Sequence, residues 1–309
     1  MNRTDIEWVK SPDGTQGYTL NSKTGCLNGC PYCYARKLAS GRLKQRYLAN
    51  ANISLEGEYT KEHPELLSRL KDPFYPRFWP GRLTAPYKIK KPAGIFLDDM
   101  SDWMGSYWPE EWTRQELQMM KDNPWHRIYT LTKQPQNLIK WSPFPENCFV
   151  GVTATEQCQF VRAVSELRFI EATIKYLSFE PLLAHIPMLP EALTLAGINW
   201  LIIGAMTGSL EDIKKVIMEY PQLDLMPYGK KWTLQPKIEW VEVIVKAADK
   251  AGIPVFLKDN LKPMFGVMTS TEAIKYVDLN KYHLIEEITF NEDNKIIAHK
   301  LKQEMPKVG

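Results

Sequence analysis

The sequence lacks any apolar run long enough to cross a membrane, which takes about 20 such residues in a helix. The longest run, Trp200 to Ala205, has the length of a β-strand. The opening residues, 1–5, also lack the basic-then-apolar pattern of a secretory signal peptide. We therefore expect a cytoplasmic protein with no membrane partner.

The sequence also lacks a large excess of either sign of charge. The 309 residues carry a formal net charge of +3, which neither requires nor excludes a nucleic acid partner. Internal repeats and low-complexity tracts are absent from the sequence. The length suits a single large α/β barrel, because such barrels commonly run past about two hundred residues as one domain.

Cysteine is rare and unevenly placed. The chain has five cysteines, of which Cys26, Cys30 and Cys33 fall within eight residues, whereas Cys148 and Cys158 stand apart. An odd, clustered set in a chain without an export signal argues against a disulfide framework and for a metal site. We expect the two isolated cysteines to serve in packing, Cys148 in a strand and Cys158 early in a helix.

Short β-branched runs alternate with helix-like stretches, which predicts βα units and a parallel sheet. The predicted strands are Tyr18–Asn21, Gly94–Asp98, Arg127–Thr132, Cys148–Thr153, Ile174–Phe179, Asn199–Gly204 and Pro254–Lys258. Two helices stand out, one opened by Pro109 and stopped at Asn123, the other over Lys237–Ala251 and capped by Gly252. Six or seven units indicate an α/β barrel, complete or partial, over residues 1–262.

Two segments break this alternation. Residues 51–92 are rich in prolines, aromatics and bases, and their length predicts an insertion or lid. Residues 263–309 predict a small C-terminal extension with a hairpin over Ile288–Ala298.

The cysteine motif has the spacing Cys-x3-Cys-x2-Cys, with Tyr32 directly before the last cysteine. Three thiolates on one tight loop can hold three irons of a cubane cluster and leave the fourth iron open, as a catalytic metal requires. Zinc would want a fourth ligand, and His63 and His126 have no helpful spacing. A zinc site and an electron-transfer cluster remain the alternatives.

The motif resembles the signature of the radical SAM superfamily. The resemblance implies a partial (β/α)6 TIM-like barrel and a [4Fe–4S] cluster on Cys26, Cys30 and Cys33. It also implies that S-adenosylmethionine (SAM) chelates the fourth iron. Reductive cleavage then gives methionine and a 5′-deoxyadenosyl radical that abstracts hydrogen, with an electron donor such as flavodoxin or ferredoxin as partner.

Polar residues follow nearly every predicted strand, where ligands bind in parallel barrels. The candidate SAM contacts are Tyr32, Asp98, Ser101, Asp102, Lys133, Thr153, Glu156, Glu180 and Gly204. Carboxylates and hydroxyls suit the ammonium and carboxylate of SAM. Thr153 and Glu156 suit its ribose, and Gly204 lets the backbone approach the adenosine. The structural alternatives are a cap on the following helix for Asp98–Asp102, a capping box for Thr153 with Glu156, and a solvated loop base for Lys133.

A narrower resemblance rests on several blocks together. They are the cysteine loop, Met100–Asp102, Leu131–Pro135, Gly151–Thr153, Ser178–Leu182 and Phe256–Asp259. These blocks resemble a phage-associated bacterial and archaeal radical SAM family with no assigned substrate. The chain departs from that family after Trp8, where residues 10–17 intervene before the cysteines, and at Gly204–Gly208, where the family has Gly-Gly-Glu-Ser-Gly.

The substrate stays open. Residues 69–91 interleave bases with aromatics, which suits a nucleic acid or nucleotide, but we favour a lid that excludes water, and the two roles are compatible. Three hypotheses follow. The radical acts on a nucleic acid, or the same chemistry acts on a peptide or metabolite, or the chain is a non-catalytic iron–sulfur or zinc protein.

Overall fold

The computed structural model describes residues 1–54, 70–266, 268–277 and 283–307. The middle of the predicted insertion, residues 55–69, lies outside this part of the chain. The described chain divides into two compact units. The first comprises Met1–Val152 with Ile170–Thr173, and the second comprises Thr153–Phe169 with Ile174–Gly309.

The first unit is built on parallel strands joined by helical crossovers. Its strands are β1 (Asn2–Arg3), β2 (Tyr18–Leu20), β3 (Lys23–Thr24), β4 (Arg77–Phe78), β5 (Gly94–Leu97), β6 (Arg127–Thr132) and β7 (Cys148–Thr153). Its helices are α1 (Tyr34–Ser40), α2 (Lys44–Leu48) and α3 (Glu110–Asp122), with 3-10 turns at Pro80–Thr84, Pro86–Lys88, Pro135–Asn137 and Ile139–Trp141. Strands β2, β5, β6 and β7 pair in parallel in that order, and β1 joins the β2 edge antiparallel.

The sequences of these strands are largely apolar because the strands are buried. Every residue of β5 and of β7 is buried, as expected for parallel strands covered on both faces. A short antiparallel ribbon, β3 with β4, pairs Lys23 with Phe78 beside the cysteine motif. Helix α3 carries Glu110 and Glu111 in its first turn and ends before Asn123, as predicted.

The second unit contains its own parallel strands and a smaller antiparallel sheet. Its strands are β8 (Ile174–Phe179), β9 (Trp200–Ile203), β10 (Met206–Gly208), β11 (Asp224–Tyr228), β12 (Lys231–Gln235), β13 (Val255–Leu257), β14 (Ile285–Phe290) and β15 (Ile296–Leu301). Its helices are α4 (Gln157–Leu167), α5 (Pro190–Leu195), α6 (Leu210–Ile217), α7 (Ile238–Ala251) and α8 (Ser270–Ala273), with 3-10 turns at Asp259–Met264 and Ile274–Tyr276. Strands β8, β9 and β13 are parallel neighbours.

The α/β class and the largely parallel sheet are confirmed, with seven predicted strands found within one residue at either end. Barrel closure stays a prediction, as does the domain boundary at residue 262. The sequence analysis missed the antiparallel sheet β10–β12–β11. The hairpin of β14 and β15 is present, starting three residues earlier than predicted.

None of the described helices is both long and apolar enough to cross a membrane.

Candidate functional site

The cysteine loop follows β3 and is fixed by backbone contacts on two sides. The Gly25 N–H donates to the Met100 carbonyl at 3.0 Å, and the Cys26 N–H donates to the Phe74 carbonyl at 3.1 Å. Gly25 has φ +89°, and a Cβ there would lie 2.5 Å from the Tyr75 carbonyl oxygen. Only glycine fits this position, because a side chain would meet backbone on a left-handed residue.

Backbone amides point at two of the three sulfurs. Cys33 is the N-cap of α1, and its Sγ accepts the Arg36 N–H at 3.3 Å. The Asn28 N–H donates to Cys26 Sγ at 3.4 Å. Such donors stabilise thiolates and tune the potential of iron–sulfur clusters. The α1 helix therefore begins at the motif and presents its amide end to Cys33.

Burial sets the protonation of the thiols. It raises the pKa of Cys26 to about 12, with the nearby Asp102 charge adding to the rise and the Tyr107 hydroxyl opposing it. Burial also raises the pKa of Cys33, against the Arg36 amide and the Lys133 charge. The Cys33 N–H donates to the Cys30 carbonyl at 3.2 Å, and Cys30 also raises the pKa of both other thiols, so the three cysteines belong to one tight loop. These thiols must release protons when they bind a metal.

Asp102 joins the cysteine loop to the loop after β6. One carboxylate oxygen accepts the Asn28 side-chain amide at 2.6 Å and the Lys133 N–H at 2.8 Å. The other oxygen accepts the Thr132 hydroxyl at 2.5 Å. The Gln134 side chain donates to Asn28 Oδ1 at 2.7 Å. Asn28 is thus held from two sides, and it holds the loop between Cys26 and Cys30.

Four predicted SAM contacts surround this loop. The Lys133 ammonium lies 5.9 Å from the centre of the Tyr32 ring. Ser101 pairs with Gly25, and its hydroxyl is buried with no hydrogen-bond partner in the described chain. Together with Asp102, these residues place a cation, an anion and an unused hydroxyl beside the cysteines. The structure brings them together, and their contact with SAM stays a prediction.

Asp98 faces away from this loop into a buried network. Its Oδ1 accepts the Lys23 N–H at 2.8 Å and the Ser22 hydroxyl at 3.2 Å. Burial, followed by the Glu116 carboxylate, raises the pKa of Asp98 well above its usual range. Glu116 forms an ion pair with Lys23 at 2.7 Å, with both side chains fully buried. The alternative that residues 98–102 cap a helix is wrong, because α3 begins only at Glu110.

The second unit gathers another predicted set. Glu180, at the end of β8, forms an ion pair with Lys258, which follows β13. A Cβ on Gly204 would lie 3.0 Å from the Lys258 side chain and 3.4 Å from that of Glu180. Asn260 binds Ala205, the residue after Gly204. Its side chain donates to the Ala205 carbonyl at 2.7 Å and accepts the Ala205 N–H at 3.1 Å. Glu180 thus has the partner that its burial requires.

Thr153 and Glu156 lie at the start of α4. Thr153 is the last residue of β7, and its hydroxyl is buried without a hydrogen-bond partner among the described residues. Glu156 is itself the N-cap of α4, and its side chain caps no backbone amide. The capping-box alternative is therefore wrong. Cys148 is buried in β7, as predicted. Cys158 lies in the first turn of α4, as predicted, but it is exposed, so the packing role expected for it is wrong.

The described part of the insertion packs onto the cysteine loop. Phe74, Tyr75 and Phe78 are buried. The Arg77 guanidinium is buried too, and it donates to the carbonyls of Leu70, Asp72 and Tyr75 at 2.8–3.0 Å. This arginine therefore holds the segment that forms the cradle around Gly25. Its role in the fold is structural, as are those of the three buried aromatics.

Sequence reasoning missed Asn28, Tyr107, Asn260 and Arg77. Asn28 had a usable signal, because it lies inside the cysteine motif. Tyr107 and Asn260 contact partners far along the chain, so no local pattern marks them, whereas three of the carbonyls that Arg77 binds lie only two to seven residues away.

The donor set suits an iron–sulfur cluster. No three His, Cys, Asp or Glu side chains among the described residues converge as ligands of one metal ion. A cubane makes a different demand, because each thiolate binds its own iron. Three thiols on one tight, conformationally fixed loop and amides directed at two sulfurs meet that demand.

Comparison with known proteins places the chain in a family. The family described as "Protein of unknown function (DUF5131)" matches residues 3–216, which is more than half of the chain. The chain belongs to this family. The DUF5131 match covers the cysteine loop, the Asp102 tether and the Glu180 strand end. No curated protein sequence matches the chain.

Solved structures share the fold of this DUF5131 protein. Spore photoproduct lyase complexed with dinucleoside spore photoproduct superposes with a TM-score of 0.50 and 11% identity, covering 83% of this chain and 81% of that chain. A variant of that lyase with bound AdoMet and dinucleoside spore photoproduct gives a TM-score of 0.47 and 10% identity, over 80% and 76% of the two chains. At such low identity the likeness concerns the fold alone.

Proposed function

We propose that the protein is a radical SAM enzyme in which Cys26, Cys30 and Cys33 hold a [4Fe–4S] cluster. The observation that carries the proposal is the cysteine loop itself. Its three cysteines belong to one tight stretch of chain, and two of their thiols accept backbone N–H groups. A three-thiolate set leaves one iron open for SAM. The bound cluster supplies the electron that splits the SAM sulfonium into methionine and a 5′-deoxyadenosyl radical.

The protein's own residues bind and orient SAM in this proposal. Asp102 suits the ammonium of SAM, and Lys133 and the Ser101 hydroxyl suit its carboxylate. Tyr32 supplies an aromatic face next to Lys133. Thr153, Glu156, Glu180 and Gly204 are proposed for the adenosine end. We give Asp98 a positioning role through Lys23 instead of the direct contact predicted, because its carboxyl lies in the buried network.

The fold supports this proposal. Parallel strands followed by polar residues are what a partial (β/α)6 barrel of the radical SAM type requires. Spore photoproduct lyase, which shares the fold at a TM-score of 0.50, is a radical SAM enzyme, and its structure contains a dinucleoside. We therefore propose a nucleic acid or nucleotide as substrate and a flavodoxin- or ferredoxin-like electron donor. Kinship with a phage-associated family stays a prediction.

The experiment compares two cysteine variants after anaerobic reconstitution with iron and sulfide. With reductant and SAM, we expect wild-type protein to bind about four irons per chain and to release 5′-deoxyadenosine. Cys30→Ala should do neither, because one thiolate ligand is lost. Cys158→Ala, which removes an exposed cysteine from α4, is the matched control and should behave as wild type. Tight zinc binding by the wild type, or undiminished 5′-deoxyadenosine from Cys30→Ala, would contradict the proposal.

A further inference from the structure

A second candidate site lies beside the cysteine loop in the first unit. It is a cavity of about 530 Å³. Three arginines line it, with Arg42 just before α2, Arg46 within α2, and Arg82 in the 3-10 turn after β4. We call it the arginine cavity. The proposed SAM chemistry uses none of these arginines.

The arginine cavity carries an excess of positive charge. Within the described ranges, none of its three guanidinium groups forms an ion pair with a carboxylate. Arg46 lies near enough to Arg82 for the two like charges to interact. The acidic residue in the described lining is Asp99, whose carboxylate accepts the Asn21 amide at 2.6 Å and the Tyr34 hydroxyl at 3.4 Å. One carboxylate against three guanidinium groups leaves the cavity suited to an anion.

The cavity also offers flat surfaces for stacking. The Arg82 guanidinium lies over the Trp79 ring, 3.9 Å from its centre. Tyr47 lies beside Trp79 with ring centres 5.9 Å apart. Arg82 is fixed in this position because it donates to the Asn21 carbonyl at 2.7 Å. An indole stacked on a guanidinium, next to cations that form no ion pair within the described ranges, combines base stacking with phosphate pairing.

The arginine cavity adjoins the proposed catalytic loop. Tyr47 and Met100 line the cavity and belong to the same apolar cluster against which Cys26 and Cys33 pack. The loop after β5 joins the two sites, since Asp99 and Met100 face the cavity while Asp102 holds the cysteine loop through Asn28. Tyr34, the residue after Cys33, donates its hydroxyl to the Asp99 carbonyl at 2.7 Å.

We infer that the arginine cavity binds the phosphates of a single-stranded nucleic acid, with Trp79 and Arg82 stacking on an unpaired base. Unpaired strands are favoured because a base inside a duplex has no free face for stacking. The inference gives the proposed radical SAM enzyme a substrate class, and in this respect it rests on the proposed function. Binding of the strand itself does not need the cluster.

The test measures binding of fluorescein-labelled single-stranded DNA, and of RNA of the same sequence, by fluorescence anisotropy at several salt concentrations. The test variant is Arg42→Gln/Arg46→Gln. The matched control is Lys37→Gln/Lys44→Gln, which removes the same charge from exposed positions of α1 and α2 that do not line the cavity. A methylphosphonate strand, which has no backbone charge, is the ligand control.

For wild type, we expect the logarithm of affinity to fall with the logarithm of salt at a slope of about −2, since each contact to a single strand contributes about 0.7. The arginine variant should bind at least about tenfold more weakly, with a slope near −0.7. The lysine variant should keep affinity within about twofold of wild type. The methylphosphonate strand should bind weakly to all three. Preference for DNA or for RNA assigns the strand.

Two results would overturn the inference. One is equal weakening by the arginine and lysine variants, and the other is equal competition by polyglutamate, which would assign the cavity to acidic peptides. Cluster-loaded wild type and Cys30→Ala are tested in parallel. If loaded protein makes 5′-deoxyadenosine while the arginine variant binds DNA normally, the inference fails and the proposed function stands. If no protein makes 5′-deoxyadenosine but binding depends on the arginines, the proposed function fails and the inference that the cavity binds a single strand stands.

Discussion

Asp98 and Glu116 are two buried carboxyl groups that share one buried cation. Lys23 pairs with Glu116 at 2.7 Å and also donates to the Thr113 hydroxyl at 2.9 Å. Asp98 Oδ2 is buried without a hydrogen-bond partner in the described chain. Two ionised carboxylates around one ammonium would leave an uncompensated charge in the interior. The raised pKa of Asp98 resolves this, because its neutral form needs no second cation.

Asp98→Asn should therefore become more favourable relative to wild type as pH rises. The folded protein holds the Asp98 proton more tightly than the unfolded chain, whose carboxyl titrates near pH 4. The stability that this proton contributes is complete below about pH 4 and is lost as pH rises toward the raised pKa. Asparagine cannot titrate. Urea unfolding of both proteins from pH 4 to pH 8 measures the difference in unfolding free energy.

Thr113→Val is the control, because it alters a neutral partner of Lys23 and leaves both carboxyls in place. Its effect on unfolding free energy should be similar at every pH. If the difference between Asp98→Asn and wild type is also constant across this range, the carboxyl is ionised in the folded protein and our assignment is wrong.

For single residues, the sequence shows which side chains can take part in a site better than it shows where those side chains point. The cysteine spacing and the position of Glu180 after an apolar strand single out both features in the sequence, and their roles stay predictions. The Lys258 partner of Glu180 lies 78 residues away and carries no local signal. Asp98 was expected at the ligand-binding edge, but its backbone is left-handed, with φ +63°. Its carboxyl bonds inward to Ser22 and Lys23, and a one-dimensional pattern does not show that turn.

Among elements, the cysteine loop and the segment after residue 70 form one structure. Gly25 fits between the Phe74 and Tyr75 carbonyls, and Arg77 holds those residues in place through their backbone. The sequence marked the segment as unusual from its prolines and aromatics. It did not show that the aromatics are buried, because the residues that cover them are distant in sequence: Phe74 packs against the cysteine loop and α1, and Phe78 stacks on Trp112.

A comparison of Gly25→Ala with Gly29→Ala separates the effect of a steric clash from the effect of a left-handed backbone. Both glycines have positive φ, +89° and +70°, but a Cβ on Gly29 meets no atom within 4 Å. Gly29→Ala should cost about 1–2 kcal/mol of loop stability for the left-handed backbone alone. Gly25→Ala adds a clash with two carbonyl oxygens and should abolish cluster retention. Iron content after reconstitution, with urea unfolding of each variant, gives the comparison. Equal iron retention by the two variants would show that the close fit of Gly25 between the Phe74 and Tyr75 carbonyls is not needed for iron binding.

Most strands of the parallel sheet could be predicted because most of their residues are buried and are apolar or β-branched. The sheet of β10, β12 and β11 could not. Its strands have three to five residues, and β11 alternates between half-buried and exposed positions without a continuous apolar run. Such strands are stabilised by their partners, which only the folded chain supplies.

At the scale of the whole molecule, residues 302–304 form hydrogen bonds with strands of the second unit's sheet. The Leu257 N–H donates to the Lys302 carbonyl at 2.8 Å, and the Glu304 N–H donates to the Val255 carbonyl at 2.9 Å. Lys302 forms a largely buried ion pair with Asp249 at 2.6 Å. The Trp200 indole donates to the Glu304 carbonyl at 2.8 Å. Residues 302–304 thus cover the open edge of β13.

Ending the chain after Leu301 should lower the unfolding free energy by at least about 3 kcal/mol, because several hydrogen bonds of about 1 kcal/mol each are lost and Asp249 loses its cation. Ending it after Pro306 keeps all these contacts and should change stability by less than about 0.5 kcal/mol. Thermal and urea unfolding of the two truncated proteins provide the comparison. Similar stability of both would mean that residues 302–304 are dispensable for the sheet.

The tether of Asn28 to Asp102 and Gln134 has a consequence for how the protein matures. Many small metal-binding modules are unstructured until the metal arrives, so the metal must offset the entropy lost when the chain orders. Here side-chain amides and backbone carbonyls already order the loop. Most of that entropy is therefore lost during folding. Insertion of the proposed cluster would then replace thiol protons by iron on an already ordered loop, and we expect the fold to persist without the cluster.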